Sequence, residues 1–185
     1  MSSTSPRPNA VAAVCGLYCA ACSFYIGSHE EAERLAKLAE RFGKTMDEVY
    51  CDGCRGERRT FYCQTCSLFR CAAERGVDFC SECADYPCAD LKAFQAQLPH
   101  RLELWTSLES IRDRGWEAWE QDMDELYACP TCGVINSAYD LECRACGHEP
   151  GSRFAERHGD AVRALFAASG PAAASTAREG ARPQY

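Results

Sequence analysis

The sequence predicts a small metal-stapled protein of the α+β class, mainly α-helical with short β hairpins. Leu, Ile, Val and Phe together supply only 29 of the 185 residues. This is below the level of about 20% under which a chain tends toward disorder. The chain also contains fifteen cysteines. Because ordering each residue costs roughly 1–2 kcal/mol of backbone entropy, we expect bound metal ions to supply stability that the core lacks.

The cysteine pattern favours metal ions over disulfides. Most of the cysteines come in C-x-x-C pairs and their total is odd, whereas a disulfide framework uses an even number. Residues 1–10 are polar and lack the apolar segment of a secretory signal, and no run approaches the roughly 20 apolar residues of a membrane span. We therefore expect a cytoplasmic protein without a membrane partner.

Composition and cysteine spacing divide the chain into five segments. The segment rich in Ala, Ser, Pro and Gly at the end is typical of disorder. The predicted segments are a flexible N-terminus (1–12), a cysteine-rich domain (13–127) whose C-terminal part (96–127) is helical and contains all three tryptophans, a zinc ribbon (128–150), a helix within 151–169, and a disordered tail (170–185).

Local signals place the helices. Ser28 followed by Glu31 predicts a capping box at the start of a helix that ends at Gly43. Thr45 followed by Glu48 predicts a second capping box. Further helices are expected over 66–76 and 90–98. The pattern contains no alternation of strands and helices that would indicate a parallel sheet.

The strongest motif consists of two C-x-x-C-G turns separated by ten residues. Each turn directs two sulfurs toward one ion, and the glycine permits the left-handed backbone that the turn needs. Two facing turns give closed tetrahedral coordination, which suits structural zinc and leaves no open position for catalysis. A rubredoxin-like iron site is the alternative. The predicted ligands are Cys129, Cys132, Cys143 and Cys146.

Two more groups of cysteines have spacings that predict metal sites. The first is a pair of C-x-x-C turns, and the second contains one such turn with a cysteine on either side. The order of residues in the sequence does not fix the partition of ligands, so cysteines can be exchanged between these groups. The groups are Cys51, Cys54, Cys63 and Cys66, and Cys71, Cys80, Cys83 and Cys88.

A third group, Cys15, Cys19 and Cys22, has the C-x-x-x-C-x-x-C spacing with which radical S-adenosylmethionine enzymes bind a [4Fe–4S] cluster. Ala21 stands where those enzymes usually have an aromatic residue, and the chain is short for their barrel. A zinc site or iron–sulfur cluster completed by another cysteine or by His29 is the favoured interpretation.

Four segments together resemble an uncharacterised family catalogued as domain of unknown function 3795, whose members are cysteine-rich and presumed to bind zinc. The resemblance covers roughly residues 13–127, and the segment 128–150 looks like the zinc ribbon appended in some members. It implies metal binding by the matching cysteines and implies no reaction. The segments are CGLYCAAC (15–22), CDGCRG (51–56), RCAAERG (70–76) and FCSECADYPC (79–88).

Three functions are compatible with this pattern. The favoured one is a noncatalytic zinc-binding module that binds another protein, because the four histidines are scattered and no nucleophile–base motif is present. The second is an iron–sulfur or redox protein, or an enzyme, with its cluster at Cys15, Cys19 and Cys22. The third is nucleic-acid binding by the ribbon, which the net charge of −7 disfavours.

Overall fold

The structure, a computed structural model, describes residues 8–168. The predicted tail (170–185) and the first seven residues of the predicted N-terminal segment lie outside this range. The described chain contains α-helices joined by turns and three short 3₁₀ helices (Cys19–Ala21, Cys80–Glu82 and Pro99–Arg101). The α-helices are α1 (Ser23–His29), α2 (Ala32–Phe42), α3 (Met46–Val49), α4 (Phe61–Gln64), α5 (Ser67–Arg75), α6 (Ala89–Gln95), α7 (Leu104–Arg114), α8 (Trp116–Tyr127) and α9 (Arg153–Ala168).

The prediction of an α+β fold with β hairpins is wrong. Residues 8–168 contain no strand and no sheet, and only two isolated bridges occur, Ala12 with Tyr18 and Ala128 with Ile135. In the predicted ribbon the reason is local, because α8 continues to Tyr127 and leaves a single residue before the first cysteine turn. Pairing across the first turn is limited there to the bridge between Ala128 and Ile135.

Glycine and threonine signals set several helix ends, of which those at Gly43 and at Thr45 with Glu48 were predicted. Gly43 ends α2 in the left-handed conformation with φ of +61°. Gly115, at φ of +86°, separates α7 from α8. Thr45 and Glu48 form the predicted capping box at the start of α3. The capping box predicted at Ser28 is wrong: its hydroxyl donates to the Phe24 carbonyl at 2.7 Å and accepts from the Cys51 amide at 2.9 Å.

One main hydrophobic core joins the cysteine-rich segment to the C-terminal helices. Its buried residues extend along the chain from Ala12 to Phe154 and include the fully buried Trp119 of α8. Tyr127 stacks on Phe154 with ring centroids 5.1 Å apart, which connects α8 to α9. A smaller cluster around Leu35 packs between α2 and α3. This core includes helices from both halves of the chain and six of the cysteines, Cys15, Cys19, Cys54, Cys66, Cys80 and Cys88.

Candidate metal centre

The structure brings Cys129, Cys132, Cys143 and Cys146 together in the arrangement that a tetrahedral metal site requires. Their four sulfurs all lie within 4.8 Å of one another. The Sγ–Sγ distance is 3.6 Å for Cys129 with Cys146 and for Cys132 with Cys143. Four sulfurs placed about 2.3 Å from a central ion lie about 3.8 Å apart, whereas a disulfide requires about 2.05 Å. We call these residues the four-cysteine cluster.

Two turns of the same geometry build this cluster. In the first, the Cys129 amide donates to the Val134 carbonyl at 2.9 Å and the Gly133 amide donates to the Cys129 carbonyl at 2.9 Å. In the second, the amides of Cys143 and Gly147 make the equivalent bonds at 2.8 and 2.9 Å. Both glycines have positive φ, +76° and +70°, which a residue with a Cβ atom adopts only with strain. The C-x-x-C-G spacing therefore specifies the turn itself.

The electrostatics of the cluster favour a thiolate at neutral pH. Burial acts to raise the pKa of the Cys143 thiol, but the backbone amides of Cys146 and Ala145 and hydrogen bonds from neighbouring thiols lower it to about 6. Since a thiolate is the form that binds a metal, the lowered pKa of Cys143 favours its role as a ligand. A backbone hydrogen bond acts to lower the pKa of the Cys146 thiol, but desolvation and its three neighbouring thiols raise it. Cys129 and Cys143 are buried, whereas Cys132 and Cys146 are exposed, so an ion can reach the cluster from solvent.

Asn136 is the residue that connects the two turns, and sequence reasoning missed it. Its side chain is fully buried. The side-chain nitrogen of Asn136 donates to the carbonyls of Val134 and Gly151 at 3.0 and 2.8 Å. Its side-chain oxygen accepts from the backbone amide of Arg144 at 2.9 Å. Asparagine provides both donors and an acceptor in one short side chain, which suits this position. The sequence carries no signal that would have identified it.

Arg144 and Arg34 fix the four-cysteine cluster to the first two helices. The Arg144 guanidinium donates to the Glu31 carboxylate at 2.7 Å and also contacts Glu30. Arg34 forms two parallel bonds of 3.0 Å with Asp140. The side chain of Arg144 is only 10% exposed. Arg144, the only Lys or Arg in residues 128–150, is therefore bound within the fold.

The eleven other cysteines are arranged differently. We call them the core cysteines. Among the residues that the structure describes, the four-cysteine cluster is the only group of three or more Cys, His, Asp or Glu ligand atoms within 4.8 Å of one another. The predicted sites at Cys15, Cys19 and Cys22, at Cys51, Cys54, Cys63 and Cys66, and at Cys71, Cys80, Cys83 and Cys88 are not gathered to that distance. Metal binding by these residues stays a prediction.

Two histidines, His29 and His148, lie near cysteine motifs in the sequence, and the role of His29 as a ligand stays a prediction. His29 Nε2 lies 3.1 Å from the carbonyl oxygen of Cys51, and its ring packs against Tyr25. His148 is exposed, and its carbonyl accepts the Cys143 amide. Neither imidazole belongs to the four-cysteine cluster. The cluster therefore has sulfur ligands alone.

Comparison with known proteins bears on the cysteine-rich segment. Residues 11–93 match the family model described as a protein of unknown function (DUF3795). This match includes all the core cysteines and ends before the four-cysteine cluster. No curated protein and no solved structure matches the chain. The description of the family assigns no activity.

Proposed function

We propose that this chain is a zinc-binding protein whose four-cysteine cluster is a structural site, and that it acts as a noncatalytic interaction module for another protein. The observation that carries the proposal is the gathering of four sulfurs, with two pairs at 3.6 Å. Four thiolates occupy all four positions of a tetrahedrally coordinated ion, and zinc is the usual ion of closed structural sites of this kind. Such a site stabilises a short segment that cannot build its own core.

The surroundings of the histidines support a noncatalytic role. His100 is bound to Tyr139 at 2.6 Å, and His158 lies 2.8 Å from a Glu103 carboxylate oxygen. His29 is held against the Cys51 carbonyl. None of these three contacts places an imidazole beside a serine or cysteine nucleophile, which is the arrangement that activates such residues.

The described helices also include none that is both long and apolar enough to cross a membrane.

An iron–sulfur protein is the second candidate, and its cluster would lie at the N-terminal cysteines, of which Cys15 is buried. Cys15 is only 6% exposed, and burial raises the pKa of the thiols of Cys15 and Cys19 well above the usual value. Thiolates in such surroundings need a strong positive charge to offset the loss of solvent, which zinc or an iron–sulfur cluster supplies. The predicted site at Cys15, Cys19 and Cys22 therefore stays part of this alternative.

Nucleic-acid binding is disfavoured by the position of Arg144. The predicted ribbon has no other Lys or Arg, and two glutamates neutralise this one. Contacts to phosphates depend on accessible Lys and Arg side chains. A gel shift at low salt tests this candidate, and we expect no shift.

Metal analysis separates zinc from iron. The full chain is purified without oxygen, and its zinc, iron and inorganic sulfide are measured together with its visible spectrum. We expect zinc and no visible absorption band. Iron and sulfide in equal amounts would support the second candidate, and a chain that folds fully and binds no metal would refute both.

A further inference from the structure

The chain between the two turns of the four-cysteine cluster includes a short loop, residues 136–140, which we call the strap. It folds on itself, because the Ser137 amide donates to the Asp140 carboxylate at 2.9 Å and the Asp140 amide donates to the Ser137 carbonyl at 2.9 Å. Ser137 and Ala138 are buried, although the strap contains no Leu, Ile, Val or Phe. Burial of apolar surface therefore contributes little to its position, which depends on hydrogen bonds and on what holds its ends.

The strap packs against the N-terminal cysteine motif. The Ala138 amide donates to the Ala21 carbonyl at 3.2 Å, and the hydroxyls of Ser137 and Ser23 lie 2.7 Å apart. Ala21 and Ser23 are the two neighbours of Cys22 in the sequence. The strap therefore binds the chain on both sides of this half-buried cysteine, which lies more than a hundred residues earlier.

An ion pair fixes the other end of the strap to α2. The Arg34 guanidinium donates two parallel bonds of 3.0 Å to the Asp140 carboxylate. Both side chains are less than a fifth exposed, at 19% and 17%. Bidentate pairs of this kind fix orientation as well as distance, so α2 holds the strap in the position from which it reaches the cysteine motif.

Asn136 is the residue through which the strap joins the four-cysteine cluster. Its fully buried side chain binds Val134 of the first turn and the Arg144 amide, which follows Cys143 of the second turn. These bonds persist together only while the two turns face each other. A bound ion enforces that arrangement, because its four ligands come from both turns.

Tyr139 gives the strap an anchor outside the cluster. Its hydroxyl lies 2.6 Å from Nδ1 of His100, and its ring contacts that of Phe166 in α9 with centroids 6.2 Å apart. We therefore expect the loss of the ion to loosen the strap locally, without unfolding the C-terminal helices.

We propose that the four-cysteine cluster controls the N-terminal cysteine motif through the strap. The bound ion holds the strap against Ala21 and Ser23, and loss of the ion releases the strap and opens the turn at Cys22 to solvent. The inference rests on the proposed function, because it requires the cluster to bind an ion. It gives the cluster a regulatory role beside its structural one, since the occupancy of the cluster sets the access of solvent to this turn.

Amide hydrogen exchange of the full chain, followed by NMR in buffered zinc, measures the opening. The amides of Ala21 and Cys22 donate to the carbonyls of Tyr18 and Cys19 at 3.2 and 2.9 Å. Exchange at these two amides therefore reports on the turn that the strap covers, and we call them the reporter amides. Their rates are compared with those of the amides within α5, which none of the strap bonds described above involves.

The double variant Cys132→Ser and Cys146→Ser removes two exposed ligands of the cluster. We expect the reporter amides to exchange at least about tenfold faster in this variant than in the wild type, because local opening then precedes global unfolding. The amides of α5 should exchange at the same rate in both proteins. Native mass spectrometry of the same samples counts the bound zinc ions.

Arg34→Met loosens the strap without changing a cysteine. It removes both bonds to Asp140, and we expect the reporter amides to exchange at least about tenfold faster with an unchanged number of zinc ions. Lys37→Met is the matched control on the same helix, since the pair of Lys37 with Glu33 is 73% and 82% exposed, and it should change neither quantity. If Arg34→Met leaves the reporter amides unchanged, the strap does not hold the turn and the inference fails.

The zinc count separates this inference from the proposed function. Unchanged reporter amides in a double variant that has lost one zinc ion would overturn the inference and leave the proposed function standing. A double variant that keeps the wild-type number of zinc ions would contradict the proposed function itself. Faster exchange in α5 to the same extent as in the reporter amides would indicate global unfolding and would also overturn the control by the strap.

Discussion

Arg144→Met tests whether the four-cysteine cluster depends on the first two helices. The Arg144 guanidinium binds Glu31 at 2.7 Å and the Ile135 carbonyl at 2.8 Å, and it also contacts Glu30. Methionine keeps most of the apolar stem and removes the charge. Breaking a buried pair by removing one partner costs about 3–5 kcal/mol. Because Glu30 is 48% exposed and Arg34 still binds Glu31, we expect a smaller loss, about 2–3 kcal/mol in the free energy of unfolding.

Urea unfolding of the zinc-loaded chain measures this loss. The free zinc concentration must be buffered equally for all variants, since a ligand that binds only the folded state adds to its stability. Arg163→Met is the matched control: Arg163 also forms two ion pairs, with Glu149 and Asp160, but it is 53% exposed. Such surface pairs contribute about 0–1 kcal/mol. If Arg144→Met costs no more than the control, the cluster is not held by this arginine and the reasoning is wrong.

Three further perturbations test separate parts of the structure. Gly151→Ala places a Cβ atom 2.8 Å from the Cys143 backbone nitrogen. We expect the zinc affinity, measured by competition with a chelator, to fall by at least about tenfold. The control Gly159→Ala, within α9, should leave the zinc affinity unchanged. Burial, followed by the Arg101 charge, lowers the pKa of His100 to about 3. Folding therefore favours the neutral imidazole, and its contribution to stability is lost as pH falls from about 6.5 toward 3. NMR of the imidazole at a pH of about 6 should find His100 neutral, and a charged ring would contradict this. Thr45→Ala removes the cap of α3 and should lower the free energy of unfolding in urea by about 1 kcal/mol. An unchanged free energy of unfolding would contradict the capping box.

Signals that act within a few residues were readable from the sequence. The C-x-x-C-G turns need two sulfurs and a left-handed glycine, and both requirements lie within five consecutive residues. Gly43 and the pair Thr45 and Glu48 are local in the same sense, because a helix end depends on the bonds of its own first and last turns. These features were predicted correctly because no distant residue competes for the same groups.

Features that depend on distant partners were not readable. The Ser28 hydroxyl matched a helix cap, but the Cys51 amide, 23 residues away, occupies it instead. Arg144 finds its carboxylates at Glu30 and Glu31, more than a hundred residues earlier. The predicted hairpins failed because α8 extends to Tyr127. Each of these outcomes is decided by tertiary packing, which overrides a local preference.

The partition of the core cysteines is the clearest example of this limit. The spacing of Cys51, Cys54, Cys63 and Cys66 predicts one shared ion, whereas no three of their sulfurs lie within 4.8 Å of one another in the described structure. A C-x-x-C spacing permits two sulfurs to share an ion and does not require it. The chain is poor in large aliphatic residues and rich in thiols, so stabilisation of this segment by metal ions stays a prediction.

The central claim is that the four-cysteine cluster binds one ion of its own. Native mass spectrometry of the zinc-loaded chain tests it directly by comparing the wild type with the double variant Cys132→Ser and Cys146→Ser. Both residues are exposed, so the substitutions leave the core intact. The account predicts that the variant carries one zinc ion fewer than the wild type in the presence of the same chelator. An equal number of zinc ions in the two proteins would contradict it.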